Sequence, residues 1–107
     1  MSSNRTERVS LHLKECASAF INGESNRRSM ITVTDVQVSS DLKRATVRIS
    51  VFPDDQEDAA LDFLKRKRSE LRAYIKERVN MKIIPHIEVE IDRGERHRQQ
   101  IDRLLEE

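Results

Sequence analysis

Between Asp54 and Val79 the sequence carries a helical apolar pattern that four consecutive cations interrupt, and that interruption constrains the fold most. Ala60, Phe63 and Leu64 form one apolar group, and Leu71, Tyr74, Ile75 and Val79 form a second. Lys65, Arg66, Lys67, Arg68, Ser69 and Glu70 stand between them without an apolar residue. A straight helix of 26 residues would be about 39 Å long. A strand of about seven residues spans only about 23 Å, so such a helix would overhang the sheet it has to cover. The pattern therefore predicts a kink or break near Ser69, with two helices in place of one. Asp54 as N-cap and Glu57 three residues later mark the expected start.

The rest of the chain changes period around this segment. From Asn4 to Asn22, Val9, Leu13, Cys16, Ala17, Phe20 and Ile21 recur every three or four residues, one face of an amphipathic helix that Gly23 is placed to end. A polar loop over residues 24–29 leads into residues 30–39, dense in β-branched residues. There the apolar parity switches, with Ile31 and Val33 odd and Val36 and Val38 even, which predicts a bulge or change of buried face near Asp35. After the turn residues Ser39, Ser40 and Asp41, Ala45, Val47, Ile49 and Val51 alternate with polar partners, giving the second strand of an antiparallel hairpin. Pro85 opens a third strand over residues 86–92, with Ile87, Val89 and Ile91 on one face. Gly94 ends it, and Ile101, Leu104 and Leu105 suggest a short terminal helix. The expected fold is α+β, with helices on one face of a three-stranded mixed sheet. The crossover from the second strand to the third is long enough to join parallel neighbours in the right-handed sense.

With 107 residues and no linker-like stretch, the chain reads as one domain over 1–107, with a short helix or tail from about 94. No uncharged apolar run approaches membrane-spanning length, and Met1 to Arg5 lead into charged residues, so neither a membrane segment nor a signal peptide is expected. The single Cys16 excludes an internal disulfide and suits a reducing, cytoplasmic setting.

Enzymatic chemistry finds little support. His12, His86 and His97 lie on separate elements, and no His/Cys pair has the spacing of zinc ligands. Cys16 continues an apolar stripe, which favours a buried small hydrophobe over a nucleophile. Two glycines, Gly23 and Gly94, cannot build a phosphate loop. Asp54, Asp55, Glu57 and Asp58 suit the positive end of a helix, and Glu88, Glu90 and Asp92 alternate on a solvated strand face. No catalytic residue, metal or cofactor is expected.

Charge is more informative in its distribution than in its sum. Twenty Lys and Arg against nineteen Asp and Glu leave a formal net charge of +1. Residues 54–62 nonetheless carry −5, from Asp54, Asp55, Glu57, Asp58 and Asp62. Residues 64–82 carry +6, with Lys65, Arg66, Lys67, Arg68, Arg72, Lys76, Arg78 and Lys82 against Glu70 and Glu77. Helix-dipole complementarity accounts for early acids and late bases but not for four consecutive cations covering every face. A basic cluster at a helix break suits phosphate contact, so these eight residues are the candidate nucleic-acid-binding set. Arg27, Arg28, Lys43, Arg44 and Arg48 are secondary candidates, and Arg93, Arg96 and Arg98 could extend the contact. Phe20, Phe52, Phe63 and Tyr74 do not make the paired strand aromatics of a base-stacking sheet, so binding would rest on backbone and shape.

The chain resembles bacterial ribosome-binding factor A over nearly everything from Asn4 to Leu105. The resemblance is carried by residues 31–51 (Ile-Thr-Val-Thr-Asp-Val-Gln-Val-Ser-Ser-Asp-Leu-Lys-Arg-Ala-Thr-Val-Arg-Ile-Ser-Val), by residues 81–92 (Met-Lys-Ile-Ile-Pro-His-Ile-Glu-Val-Glu-Ile-Asp), and by the closing Ile-Asp-Arg-Leu-Leu of 101–105. It implies a type II KH-like fold in which a kinked helix replaces the usual Gly-x-x-Gly loop. Lys67, Arg68 and Ser69 stand where the family commonly has Ala-x-Gly, so that Ser69 takes the place of the kink glycine, and Gly94 stands where serine is frequent. It also implies a non-enzymatic, monomeric assembly factor, without cofactor, metal, membrane or small-molecule partner. This factor binds the free small (30S) ribosomal subunit through 16S rRNA and assists late maturation and rRNA processing. A generic KH-like nucleic-acid binder, and a protein-interaction or dimer module using its basic helix, are the alternative readings.

Overall fold

The computed structural model describes residues 2–24 and 29–94. In chain order the elements are helix α1 (Ser2–Glu24), strands β1 (Met30–Val38) and β2 (Arg44–Phe52), helices α2 (Glu57–Arg66) and α3 (Arg68–Arg78), and strand β3 (His86–Ile91). The expected terminal helix and the expected contacts at Arg27, Arg28, Arg96 and Arg98 lie outside the described residues, as does His97.

The sheet order is β1-β2-β3. β2 lies antiparallel to β1 and parallel to β3, the mixed arrangement that a hairpin followed by a long crossover requires. The switch of apolar parity in β1 is a bulge: pairing runs Val33 to Ile49 and then Asp35 to Arg48, leaving Thr34 without a partner residue. The bulge lets Ile31 and Val33 before it, and Val36 and Val38 after it, all face the core. The Thr34 hydroxyl lies 2.5 Å from Asp92 Oδ2 and 3.2 Å from the Arg48 carbonyl, so its single proton has two acceptors in reach.

All three helices cover one face of the sheet. Leu13, Cys16, Ala17, Phe20 and Ile21 of α1, Ala60 and Leu64 of α2, and Leu71 and Ile75 of α3 close over Ala45, Val47, Ile49 and Val51 of β2. Every buried residue of this core among those described is apolar. Phe20 meets half-buried Tyr74 edge-on, with ring centroids 5.5 Å apart, and so joins α1 to α3. Burial pushes the Cys16 thiol up from its ordinary pKa, consistent with packing rather than nucleophilic use.

Two local expectations are corrected. Asp54 is not the N-cap of α2: residues Asp54–Gln56 form a single 3-10 turn, α2 begins at Glu57, and Gln56 at the cap makes no side-chain capping bond. The helix break falls at Lys67 instead of Ser69, which is the second residue of α3. Lys67 sits at φ −90°, ψ 3°, outside the helical well. Its N–H still donates to the Phe63 carbonyl at 3.1 Å, and its carbonyl still accepts from Leu71 N–H at 2.9 Å. Both helical ladders thus terminate on one residue.

The packed face also explains the cations that interrupt the apolar stripe. Lys67 and Arg68 lie on the side that Leu64 and Leu71 bury, and both are half-buried. Their long aliphatic stems continue the stripe while the charged ends reach outward. The Lys67 ammonium lies 5.9 Å from the Phe63 ring centroid and 3.4 Å from Glu70.

Ile75 is 1% exposed and Ile83 is 68% exposed, so the two isoleucines should respond differently to truncation. Ile75→Ala is expected to cost about 2–5 kcal/mol, and Ile83→Ala under about 0.5 kcal/mol, as read from urea midpoints at unchanged slope. Equal midpoints for the two variants would contradict the packing described.

Candidate nucleic-acid interface

The polar face of the sheet is tied together by Arg48. From the central strand its guanidinium donates through Nε to Glu90 Oε1 at 2.8 Å, through Nη1 to Asp35 Oδ2 at 3.1 Å, and through Nη2 to Gln37 Oε1 at 3.0 Å. One side chain thereby spans all three strands, and the hydrogen bond to Glu90 raises its pKa further above the usual arginine value. Arg48 is thus engaged within the fold. Arg93 lines one depression together with Arg48 and the acids Asp35, Glu90 and Asp92. Arg44, exposed at the start of β2, pairs in register with His86.

The eight cations of residues 64–82 do not form one surface. Lys65 and Arg68 face Glu88 of β3, with Arg68 Nη2 3.9 Å from its carboxylate. The Arg68 Nε is buried and makes no hydrogen bond, so this guanidinium is placed by its stem more than by its polar contacts. The His86 hydrogen bond at 2.7 Å holds the Glu88 carboxyl below the usual glutamate range, and Arg68 and Lys65 add to that effect. Lys67 folds onto Phe63 and Glu70 as described. Arg78 stacks 3.5 Å from the Tyr74 ring centroid and also meets Glu77. Arg66 is exposed at the last position of α2.

The remaining three cations converge. Arg72, Lys76 and Lys82 line a shallow depression of about 350 Å³ together with Ser69, Ala73, Met81 and Ile84. No acidic residue lines it. Arg72 shapes its floor by donating from Nη2 to the Ile84 carbonyl at 3.0 Å and from Nε to the Pro85 carbonyl at 3.3 Å, which pins the α3–β3 loop to the helix. The residue expected at the kink, Ser69, and the three cations that follow it at helical spacing or across the loop therefore share one groove. This geometry can hold an extended anion such as a nucleic-acid backbone, through charge and without base-specific donors.

Sequence reasoning overlooked Arg5. The first turns of α1 bring it beside Lys43 and Lys82, at a second depression on the other side of the α3–β3 loop. No spacing in the sequence links the start of α1 to residue 82; only the packing of α1 over the sheet does. Among the described residues no helix is long and apolar enough to cross a membrane, and no group of three or more His, Cys, Asp or Glu is placed to hold a metal ion.

Comparison with known proteins matches this chain to one family. A family model described as ribosome-binding factor A matches residues 5–105. Ribosome-binding factor A of Thermodesulfovibrio yellowstonii is 38% identical over 109 residues, covering 96% of this chain and 89% of that protein. Its namesake in Synechococcus sp. is 36% identical over 95 residues, covering 84% and 68% respectively. Among solved structures, ribosome-binding factor A from Thermus thermophilus superposes with a TM-score of 0.73 at 26% identity, over 80% of this chain and 94% of that one. A homology model of the Thermus protein, fitted into the cryo-EM map of a 30S–ribosome-binding factor A complex, gives a TM-score of 0.70 at 28% identity, over 78% and 91%.

The Glu88 cluster carries a pH signature of definite sign. A carboxyl whose folded pKa lies below its unfolded value contributes stability above the unfolded pKa, and that contribution is lost as pH falls through the folded one. Thermal melts from about pH 7 to about pH 3 should show the wild type losing stability more steeply than Glu88→Gln, the two curves converging at the acid end. Curves that stay parallel throughout would contradict this role for Glu88.

Proposed function

This chain belongs to the ribosome-binding factor A family, and from that premise we propose that it is a non-enzymatic assembly factor of the small ribosomal subunit. On this reading it binds the free 30S particle through 16S rRNA, assists late maturation and rRNA processing, and leaves before translation. The whole of residues 1–107 acts as a single KH-like domain in the cytoplasm, and as a monomer. The observation that carries the proposal is the acid-free groove of Arg72, Lys76 and Lys82 beside the helix break, in a fold shared with a protein whose homology model was fitted into a 30S complex.

The mechanism follows from the physical character of the site. Three cations on a rigid helix and a pinned loop neutralise phosphates and release their counterions, which gives affinity without sequence readout. A factor that binds one conformation of an immature particle more tightly than another shifts the population toward it by that difference in affinity. Neither nucleotide nor metal is needed for such a step. Lys65, Arg66, Lys67, Arg68 and Arg78 surround the groove and add to the local positive field. Glu70, Glu77 and Glu88 partly offset them.

Sedimentation of lysate through a sucrose gradient provides the direct test. The protein should comigrate with free small subunits and be absent from translating ribosomes. Recovery only at the top of the gradient would sink the proposal, whether in favour of a general nucleic-acid binder or of a protein-interaction module. For the site, Lys76→Glu combined with Lys82→Glu should weaken binding to purified small subunits at least tenfold and make the salt dependence shallower by about two phosphate contacts. Affinity unchanged in the double variant would move the interface elsewhere.

A further inference from the structure

The α3–β3 loop borders two basic depressions, and an exposed isoleucine of that loop, Ile83, lines one of them. On one side lies the groove of Arg72, Lys76 and Lys82. The second depression, about 300 Å³ in volume, is lined by residues that include Arg5, Asp41, Lys43, Asn80, Lys82 and Ile83. Lys82 and Met81 border both, and Ile83 projects with 68% of its surface exposed. Met30 and Phe52 are comparably exposed, and a single exposed apolar side chain is ordinary on a protein surface; Ile83 is set apart by the cations that line its depression. Leu11, also exposed, shares its groove with two acids and two bases (Glu7, Asp35, Lys14 and Arg48), whereas the depression that Ile83 lines holds Arg5, Lys43 and Lys82 against Asp41 alone.

We propose that residues 80–84 form a knob that seats in the shallow minor groove of an RNA double helix. Ile83 packs on the ribose faces, and the two sets of cations take phosphates on opposite strands. The proposal rests on the RNA-binding reading above and adds Arg5, Lys43, Asn80 and Ile83 to it. Charge selects a polyanion, because five cations (Arg5, Lys43, Arg72, Lys76 and Lys82) face a single acid across the two depressions. That acid, Asp41, is already engaged: its Oδ1 accepts from Ser39 Oγ at 2.6 Å and from the Lys43 N–H at 3.0 Å. No aromatic residue lines either depression, so neither offers the stacking platform on which unpaired bases are held. The minor groove of A-form RNA is wide and shallow and displays 2′-hydroxyls and sugar. An aliphatic side chain fits that surface. The Asn80 amide and the Ser69 hydroxyl, one on each side of the loop, are the donor–acceptor types that suit a 2′-hydroxyl.

The test uses the full chain and purified free small subunits titrated at several salt concentrations. Ile83→Ser should bind roughly tenfold more weakly with an unchanged salt slope, because it removes apolar contact and no charge. Arg5→Gln combined with Lys43→Gln should also weaken binding, with a slope shallower by about two. Circular dichroism should match the wild type for both, since the altered side chains are exposed. An iron chelate that generates hydroxyl radicals, attached at Ile83→Cys, should cut both strands of one rRNA helix; the buried Cys16 stays unlabelled. Cuts confined to unpaired rRNA, or cross-links from position 83 to a ribosomal protein alone, would overturn the knob. If wild type binds and Ile83→Ser matches it, the knob fails and the broader reading stands. If wild type itself does not bind free small subunits, both fail.

Discussion

Ala45, Val47, Ile49 and Val51 form a row along β2 that every other element closes upon, each of them 4% exposed or less. β2 is the one strand of the three with a neighbour on both sides, and its alternation decides which face of the sheet is apolar. A slip of one residue would exchange that row with Thr46, Arg48 and Ser50 and place a guanidinium in the core. The same alternation puts Arg48 on the far face, where it reaches Asp35 and Gln37 on one side and Glu90 on the other. Apolar burial on one face and a charged tie across the other therefore fix the same register. The bulge at Thr34 keeps β1 in phase with that row over its full length.

The two helices α2 and α3 meet at Lys67, where the backbone leaves the helical well, and they pack on different neighbours. α2, ten residues long, lies over β2 and β3, whereas α3, eleven residues long, packs beside α1. Long amphipathic side chains at 67 and 68 let the packing stripe cross the break without an apolar residue, since their stems supply the covering surface. The cations around the break are also sorted. Lys65, Lys67 and Arg68 are drawn toward Glu70 and Glu88, while Arg72, Lys76 and Lys82 are left around an acid-free groove. A solvated helix with evenly spread charge would show no such separation.

Most of the element order was legible because period is a local property: Leu13, Cys16 and Phe20 mark a helix, and Val47, Ile49 and Val51 a strand, wherever they come to lie. Even the bulge could be read, since a parity switch between Val33 and Val36 has few other physical solutions. The misplacements, by contrast, were local choices among competing polar groups. Asp54 has capping chemistry, but the chain enters a 3-10 turn there, and Ser69 has a helix-bending side chain, but the backbone departs at Lys67. In both cases several neighbouring residues could satisfy the backbone, and packing selected one of them. The candidate site was legible as a basic segment. Which of its members would share a surface was not, because Glu88 and the loop carbonyls of Ile84 and Pro85 come from a strand and loop distant along the chain.

By itself the sequence determined the type and order of the helices and strands among the described residues, their amphipathic faces, the need for a break in the long helix and the concentration of positive charge after it. These all follow from residue order over a few turns. Only the tertiary structure decided that three of eight cations meet in one groove, and that Arg5 joins Lys43 and Lys82 across the α3–β3 loop. It likewise decided that Arg48 is bound up within the sheet. Hydrogen bonds act over a few ångströms and screened Coulomb attraction over about 10 Å, and which side chains come within that reach is set by how helices and strands pack, not by their spacing along the chain.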